Sequence, residues 1–212
     1  IFKELLKPLS NLGMPSALFR YILVNENFNY QKKIFTNSFL INFVSIFIIF
    51  IVLINSFDIN NNLFFNSKLK NNYYFIFIFI FIFDNINSLA VVLFRAKRKV
   101  VKLGIINTFV ILISLITTIY LVLFARIGIL GLIYGTLIGS ITKSLLFFPI
   151  NMRYISIYLV ELDQIKKLLS YGLPQVPHKI QSKMIQLFTL FYINQTLGLV
   201  LAGIYGIIKK IT

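Results

Sequence analysis

The chain is predicted to be an all-α polytopic membrane protein, on three observations. Its 212 residues are 58% hydrophobic and only 13% charged, with a mean hydropathy of +0.86. A water-soluble globule of this size needs far more polar surface. The apolar residues are gathered in runs of about 20, the length that crosses a hydrocarbon core of about 30 Å as a helix. Between those runs the basic residues fall in blocks that alternate with nearly neutral loops, as loops on opposite sides of a bilayer do.

Four runs are complete: Thr36 to Phe57, Tyr73 to Phe94, Leu103 to Phe124 and Ile127 to Phe148. A fifth extends from about Leu173 to Ile193, and a sixth begins near Leu197. Residues 1–24 read as the inner end of an earlier span followed by a loop, with Lys3, Glu4 and Lys7 weakening that span. In the second run, Phe and Ile alternate strictly, which is strand periodicity. Both alternating residues are apolar, whereas a barrel strand turns every second side chain to a polar lumen. A helix is therefore expected there.

The loop charges check this layout independently. Lys3, Lys7, Arg20, Lys32 and Lys33 precede the first complete span; Arg95, Lys97, Arg98, Lys99 and Lys102 follow the second; Arg153, Lys166, Lys167, Lys179 and Lys183 follow the fourth. The intervening loops hold only Lys68 and Lys70, then Arg126 alone. The basic side is assigned to the cytoplasm. In a soluble protein the net charge of +15 would suggest nucleic acid, but here it sets orientation and meets anionic lipid, so the partner expected is the bilayer and not nucleic acid. The absence of cysteine, with one His and six carboxylates, leaves little material for a metal centre, and neither metal nor cofactor is expected. The abundance of Ile, Phe, Asn and Lys matches an AT-rich coding bias, which argues for discounting single Phe or Asn residues. A start at Ile1 and a stop at Thr212 inside an apolar run suggest an internal piece of a longer chain.

Residues 1–150 are read as part of one transmembrane lobe, 151–172 as a cytoplasmic linker carrying a short amphipathic helix, and 173–212 as the start of a second lobe. Asn60 to Asn72 reads as an outer loop, and Arg126 as a tight outer turn. Gly131, Gly135 and Gly139 recur every four residues, the spacing that lets helix backbones approach closely. They are not a phosphate loop, because no Lys and hydroxyl follow in the required spacing.

The fifth span carries the most chemistry. Gln175, His178, Lys179, Ser182, Lys183, Gln186 and Thr189 share an arc of roughly 140° at 100° per residue, and Val176, Ile180, Met184, Leu187, Phe188 and Phe191 occupy the other side. Two readings meet here: one wall of a positively charged, water-filled cavity open to the cytoplasm, or two lysines snorkelling to the headgroups. Gln186 and Thr189 continue the stripe deeper than snorkelling explains. Pro174 and Pro177 predict a bent or irregular start to this span, which suits a moving segment as well as an ordinary first turn. In the second span Asp84 lies near mid-depth beside Asn85, Asn87 and Ser88, and Lys143 in the fourth span, with Thr136 and Ser140, is its nearest partner by depth. A structural ion pair and an ion-coupling site are both open. No nucleophile elbow or paired-carboxylate signature is present, so the chain is not read as an enzyme.

Residues Leu169, Tyr171, Gly172, Leu173, Pro174 and Pro177, followed by Leu197, Gly198, Gly203 and Tyr205, form a pattern that resembles the middle of the oligosaccharide flippase family. This is the Wzx-like branch of the multidrug/oligosaccharidyl-lipid/polysaccharide exporter superfamily. Gly13 to Arg20 is similar to that family's loop after its second helix. The resemblance implies a piece running from the end of helix two to the start of helix eight, in the bacterial cytoplasmic (inner) membrane. It also implies alternating access, polyprenyl-pyrophosphate-linked oligosaccharide as substrate, and other membrane proteins of polysaccharide assembly as partners. Arg20, Lys179 and Lys183 are the positions it maps to pyrophosphate binding, with Gln175, His178, Ser182 and Gln186 beside them. A structural membrane scaffold without substrate is disfavoured by the polar stripe, and two further alternatives stand against the resemblance. One is a small-molecule or multidrug exporter of the same superfamily, which would favour carboxylates over lysines in its cavity. The other is a membrane glycosyltransferase or acyltransferase, which would need catalytic carboxylates or His in an interfacial loop.

Overall fold

The computed structural model describes residues 2–55, 72–198, 201 and 203–206, and helices dominate throughout. In chain order they are α1 (Phe2–Asn11), α2 (Met14–Val24), α3 (Phe28–Asn55), α4 (Asn72–Ala96), α5 (Val100–Ile119, continued by a π turn at Tyr120–Phe124), α6 (Ile129–Tyr154), α7 (Leu162–Gly172) and α8 (Gln175–Leu197). Stretches of α3, α4, α5 with its π turn, and α6 are long and apolar enough to cross a membrane: Phe28–Val52, Ile76–Ala96, Val100–Phe124 and Leu130–Tyr154. The protein is a multi-pass membrane bundle. The strand alternative at Phe75–Phe83 is settled in favour of a helix.

Several expected boundaries move. Residues 14–24, expected as a loop, are the helix α2, because Met14, Ala17, Leu18 and Ile22 recur at helical spacing and all four are buried. The first complete span starts at Phe28 instead of Thr36. Its polar beginning is kept helical because Thr36 and Asn37, both buried, bind the backbone of the segment after α6. The Thr36 hydroxyl donates to the Tyr154 carbonyl at 3.1 Å and accepts from Ser156 N at 3.1 Å. The Asn37 amide donates to the Leu159 carbonyl and accepts from Glu161 N, each at 3.1 Å. Lys33 adds an ion pair to Glu161 at 2.5 Å. The fourth span likewise runs past Phe148, through Pro149, to Tyr154, drawn inward by the buried Asn151 and Tyr154. The expected outer loop at Asn60–Asn72 lies outside the described residues except for Asn72, which opens α4.

One end of the bundle gathers the start of α3, the ends of α4 and α6, the start of α5, and α7. This is the basic end of the sequence pattern. Arg126 sits at the other end, in the α5–α6 turn, with φ 51°. The glycine seam falls where close packing was expected: a methyl on Gly139 would lie 3.0 Å from Ser114 Cβ, and one on Gly135 3.1 Å from Thr118 Cα. The Ser114 hydroxyl donates to the Gly135 carbonyl across that seam at 3.0 Å.

The bundle interior is polar along a second seam. Asn85, fully buried, accepts from the Ser10 hydroxyl at 2.9 Å and donates to the Phe81 carbonyl; its own carbonyl accepts from Asn42 at 3.2 Å and Ser88 at 2.6 Å. The Ser45 hydroxyl donates to the Ser10 carbonyl, and Asn87 donates to the Ser144 hydroxyl at 2.9 Å. These bonds stitch α1, α3, α4 and α6 where water cannot satisfy the amides. The general discount placed on single asparagines does not hold for Asn42, which had no role in the sequence reading and donates to the Asn85 carbonyl.

Candidate functional site

A tight backbone crossing sets the position of α8. Between α1 and α2 the chain turns through Leu12 (φ 44°) and Gly13 (φ 71°), both left-handed. Gly13 packs directly on Gly172 at the end of α7: a methyl on Gly13 would meet the Gly172 carbonyl carbon at 2.6 Å and Cα at 2.8 Å. Only glycine fits this approach. Leu173 and Pro174 then turn the chain, with Val176 N bonded to the Leu173 carbonyl at 3.0 Å. The irregularity predicted from the prolines is thus at Leu173–Pro174, and Pro177 lies in the first turn of α8.

From this corner α8 runs against α1. Its Lys179 donates to the Ser16 hydroxyl of α2 at 2.7 Å. Lys179, Ser182 and Lys183 line one cavity of ≈ 260 Å³ whose other wall is Lys7, Pro8, Asn11 and Gly13. Three ammonium groups surround this space and no carboxylate is among its described lining residues. On the far side of α8, Met184, Phe188 and Phe191 are exposed, Phe188 by 64%. The helix therefore turns charge toward the bundle and apolar surface outward. The fifth span expected from Leu173 to Ile193 is helical but is not among the described helices long and apolar enough to cross a membrane, because Gln181, Ser182, Lys183, Gln186, Asn194 and Gln195 dilute its apolar residues.

The other residues singled out in α8 are placed less centrally. Gln175 and Gln186 are half-buried, and His178 is exposed. Arg20 is not brought into this cavity. It is exposed on α2 with its guanidinium 4.5 Å from the Tyr171 ring centroid, and the neighbouring Tyr21 and Tyr171 rings meet edge to face at 6.1 Å. Arg20 thus helps clamp α2 to α7.

A second cavity, of ≈ 400 Å³, also borders α1 and brings Asp84 and Lys143 together with Lys7, Asn11 and Arg95. Asp84 accepts from the Ser140 hydroxyl at 2.9 Å, and Lys143 lies 5.9 Å from the Phe147 ring centroid. Thr136, expected on the same face, is exposed and bonded to its own helix at Ile133.

Lys7 and Asn11 line both cavities. Sequence reasoning passed over Lys7, treating it as a flaw in an apolar span, and gave Asn11 no role. The available signal was their spacing: i and i+4 place both on one helix face. Compared with protein-family models, with curated proteins and with solved structures, the chain matches none.

Proposed function

We propose that this chain belongs to a membrane flippase that translocates polyprenyl-pyrophosphate-linked oligosaccharide across the bacterial cytoplasmic membrane by alternating access. The observation that supports this reading is the cavity between α1 and α8 with its three lysines, Lys7, Lys179 and Lys183. A diphosphate does not cross hydrocarbon unaided, because desolvating its charges costs far more than its lipid tail returns. Ammonium groups inside the bundle offset that cost through charge-assisted hydrogen bonds. Lysine suits a carrier because its point charge on a flexible stem binds phosphate without the fixed two-point grip of arginine, and so releases it. The oligosaccharide occupies the water-filled side of the cavity, with Gln175 and Gln186 as hydrogen-bonding partners for its hydroxyls. Lys7 takes the place in the cation set that the resemblance gave to Arg20.

The test is genetic. In the intact protein, Lys179→Gln with Lys183→Gln is expected to abolish surface polysaccharide while expression and membrane insertion persist, and Arg at either position retains part of the activity. Met184→Ala on the outward face leaves polysaccharide near normal. Normal polysaccharide in the double Gln variant would end the cationic-cavity reading and leave snorkelling as the account of both lysines.

A further inference from the structure

At the basic end of the bundle a separate pocket of ≈ 150 Å³ lies among α4, α5 and α6, lined by Lys97, Lys99, Lys102, Arg153 and Tyr154 over a floor that includes Phe94. Four cations line it, and no Asp or Glu is among its described lining residues. Two of the four are held in place. The Lys97 ammonium donates to the Tyr154 hydroxyl and sits 4.6 Å from that ring's centroid and 5.8 Å from Phe28. The Arg153 guanidinium lies 5.7 Å from the same Phe28 ring, which packs edge-on to Tyr154 at 5.3 Å. Lys99 and Lys102 stand at the start of α5, whose first turn has no acidic residue and whose N-cap makes no side-chain hydrogen bond. The helix dipole there adds to the positive field.

A solvated charge run repels itself and spreads; here the Phe28–Tyr154 aromatic pair holds Lys97 and Arg153 over one concavity, and Lys99 and Lys102 line its exposed rim. The floor is apolar and continuous with the lipid-spanning helices, since Leu93, Phe94 and Ile150 line it. We infer that this pocket binds the phosphodiester headgroup of an anionic phospholipid of the inner leaflet, with the glycerol end of its acyl chains against Leu93, Phe94 and Ile150. The site is distinct from the α1–α8 cavity, with which it shares no lining residue.

The experiment uses the intact protein in nanodiscs of phosphatidylcholine doped with phosphatidylglycerol, and native mass spectrometry of the lipids retained on release. Phosphatidylglycerol is expected to be enriched over phosphatidylcholine on the wild type. Lys97→Gln with Arg153→Gln reduces that preference by at least about 10-fold, the loss of a single direct hydrogen bond to the charged phosphate. Lys32→Gln with Lys166→Gln, cations at the same end but outside the pocket, leaves it within about two-fold. Lys99→Gln with Lys102→Gln, two exposed positions that do not disturb the aromatic pair, serves as the second variant if the first fails to fold and carries the same expectation. Inorganic phosphate in millimolar excess should not displace the retained phosphatidylglycerol. Equal retention of both lipids, unchanged preference in the folded pocket variants, or displacement by free phosphate would each overturn the inference, the last by making the pocket a simple anion site.

Discussion

Replacing Gly13 with Ala tests whether the crossing with Gly172 holds the two halves of the structure together. Two costs add. At φ 71° and ψ 5° an L-residue pays about 1–2 kcal/mol for the left-handed conformation. The added methyl would also sit 2.6 Å from the Gly172 carbonyl carbon and 2.8 Å from its Cα. Both are backbone atoms, so no side-chain rotation relieves the overlap and α7 must shift away from α2. Overpacking of that kind costs about 1–3 kcal/mol. The sum, roughly 3 kcal/mol, corresponds to a fall of roughly 6–12 °C in unfolding temperature for a chain of this size. Circular dichroism of the purified protein in detergent measures it. Gly172→Ala, which meets the Leu12 carbonyl oxygen at 2.6 Å and Met14 Cε at 2.8 Å, has no left-handed backbone to strain and should cost less, about 1–3 kcal/mol from the overlap alone. Gly104→Ala, with nothing within 4 Å, should be neutral or gain about 0.5–1 kcal/mol from helix propensity. An unfolding temperature for Gly13→Ala within 1–2 °C of wild type, on the scale just cited, would refute the close crossing.

Two further outcomes follow from the same packing and charge arguments. Gly135→Ala should destabilise the α5–α6 seam by about 1–2 kcal/mol net of its helix-propensity gain, and adding Thr118→Ala should recover part of the loss; a more stable single variant would mean that the helices do not approach this closely. Single cysteines introduced into this cysteine-free chain at Asn61 and Arg126 are expected to label with an impermeant thiol reagent from outside intact cells, and those at Lys99 and Lys167 are not. The reverse pattern would invert the orientation and put the lysine cavity at the wrong leaflet.

Much of the architecture is legible in the sequence because its signals are local. Runs of Ile, Phe and Leu of membrane length give the long helices, and the alternating charge blocks correctly group Lys32, Lys99 and Lys167 at one end. The seam of Gly131, Gly135 and Gly139 is legible for the same reason. What escapes depends on partners distant in sequence. Thr36 and Asn37 read as the polar edge of a span until the backbone near residues 154–161 comes to bond with them. Asn42 looks like compositional noise until it pairs with Asn85 across α3 and α4. Lys7 reads as a defect in an apolar stretch, and only the fold places it opposite Lys179 and Lys183. Arg20 fails as a cavity residue for the converse reason: the aromatic Tyr171, residues away in the linker, captures its guanidinium.

The most direct measurement of the central claim is equilibrium binding of a fluorescent polyprenyl pyrophosphate to the intact protein in nanodiscs, comparing wild type with Lys7→Gln, Lys179→Gln and Lys183→Gln combined. Hydrogen bonds to charged groups contribute about 1.5–3 kcal/mol each. The triple variant, still folded by circular dichroism, should therefore bind at least about 100-fold more weakly than wild type, while a polyprenyl alcohol without phosphate binds both proteins alike. Pyrophosphate affinity unchanged in the folded triple variant would contradict the account.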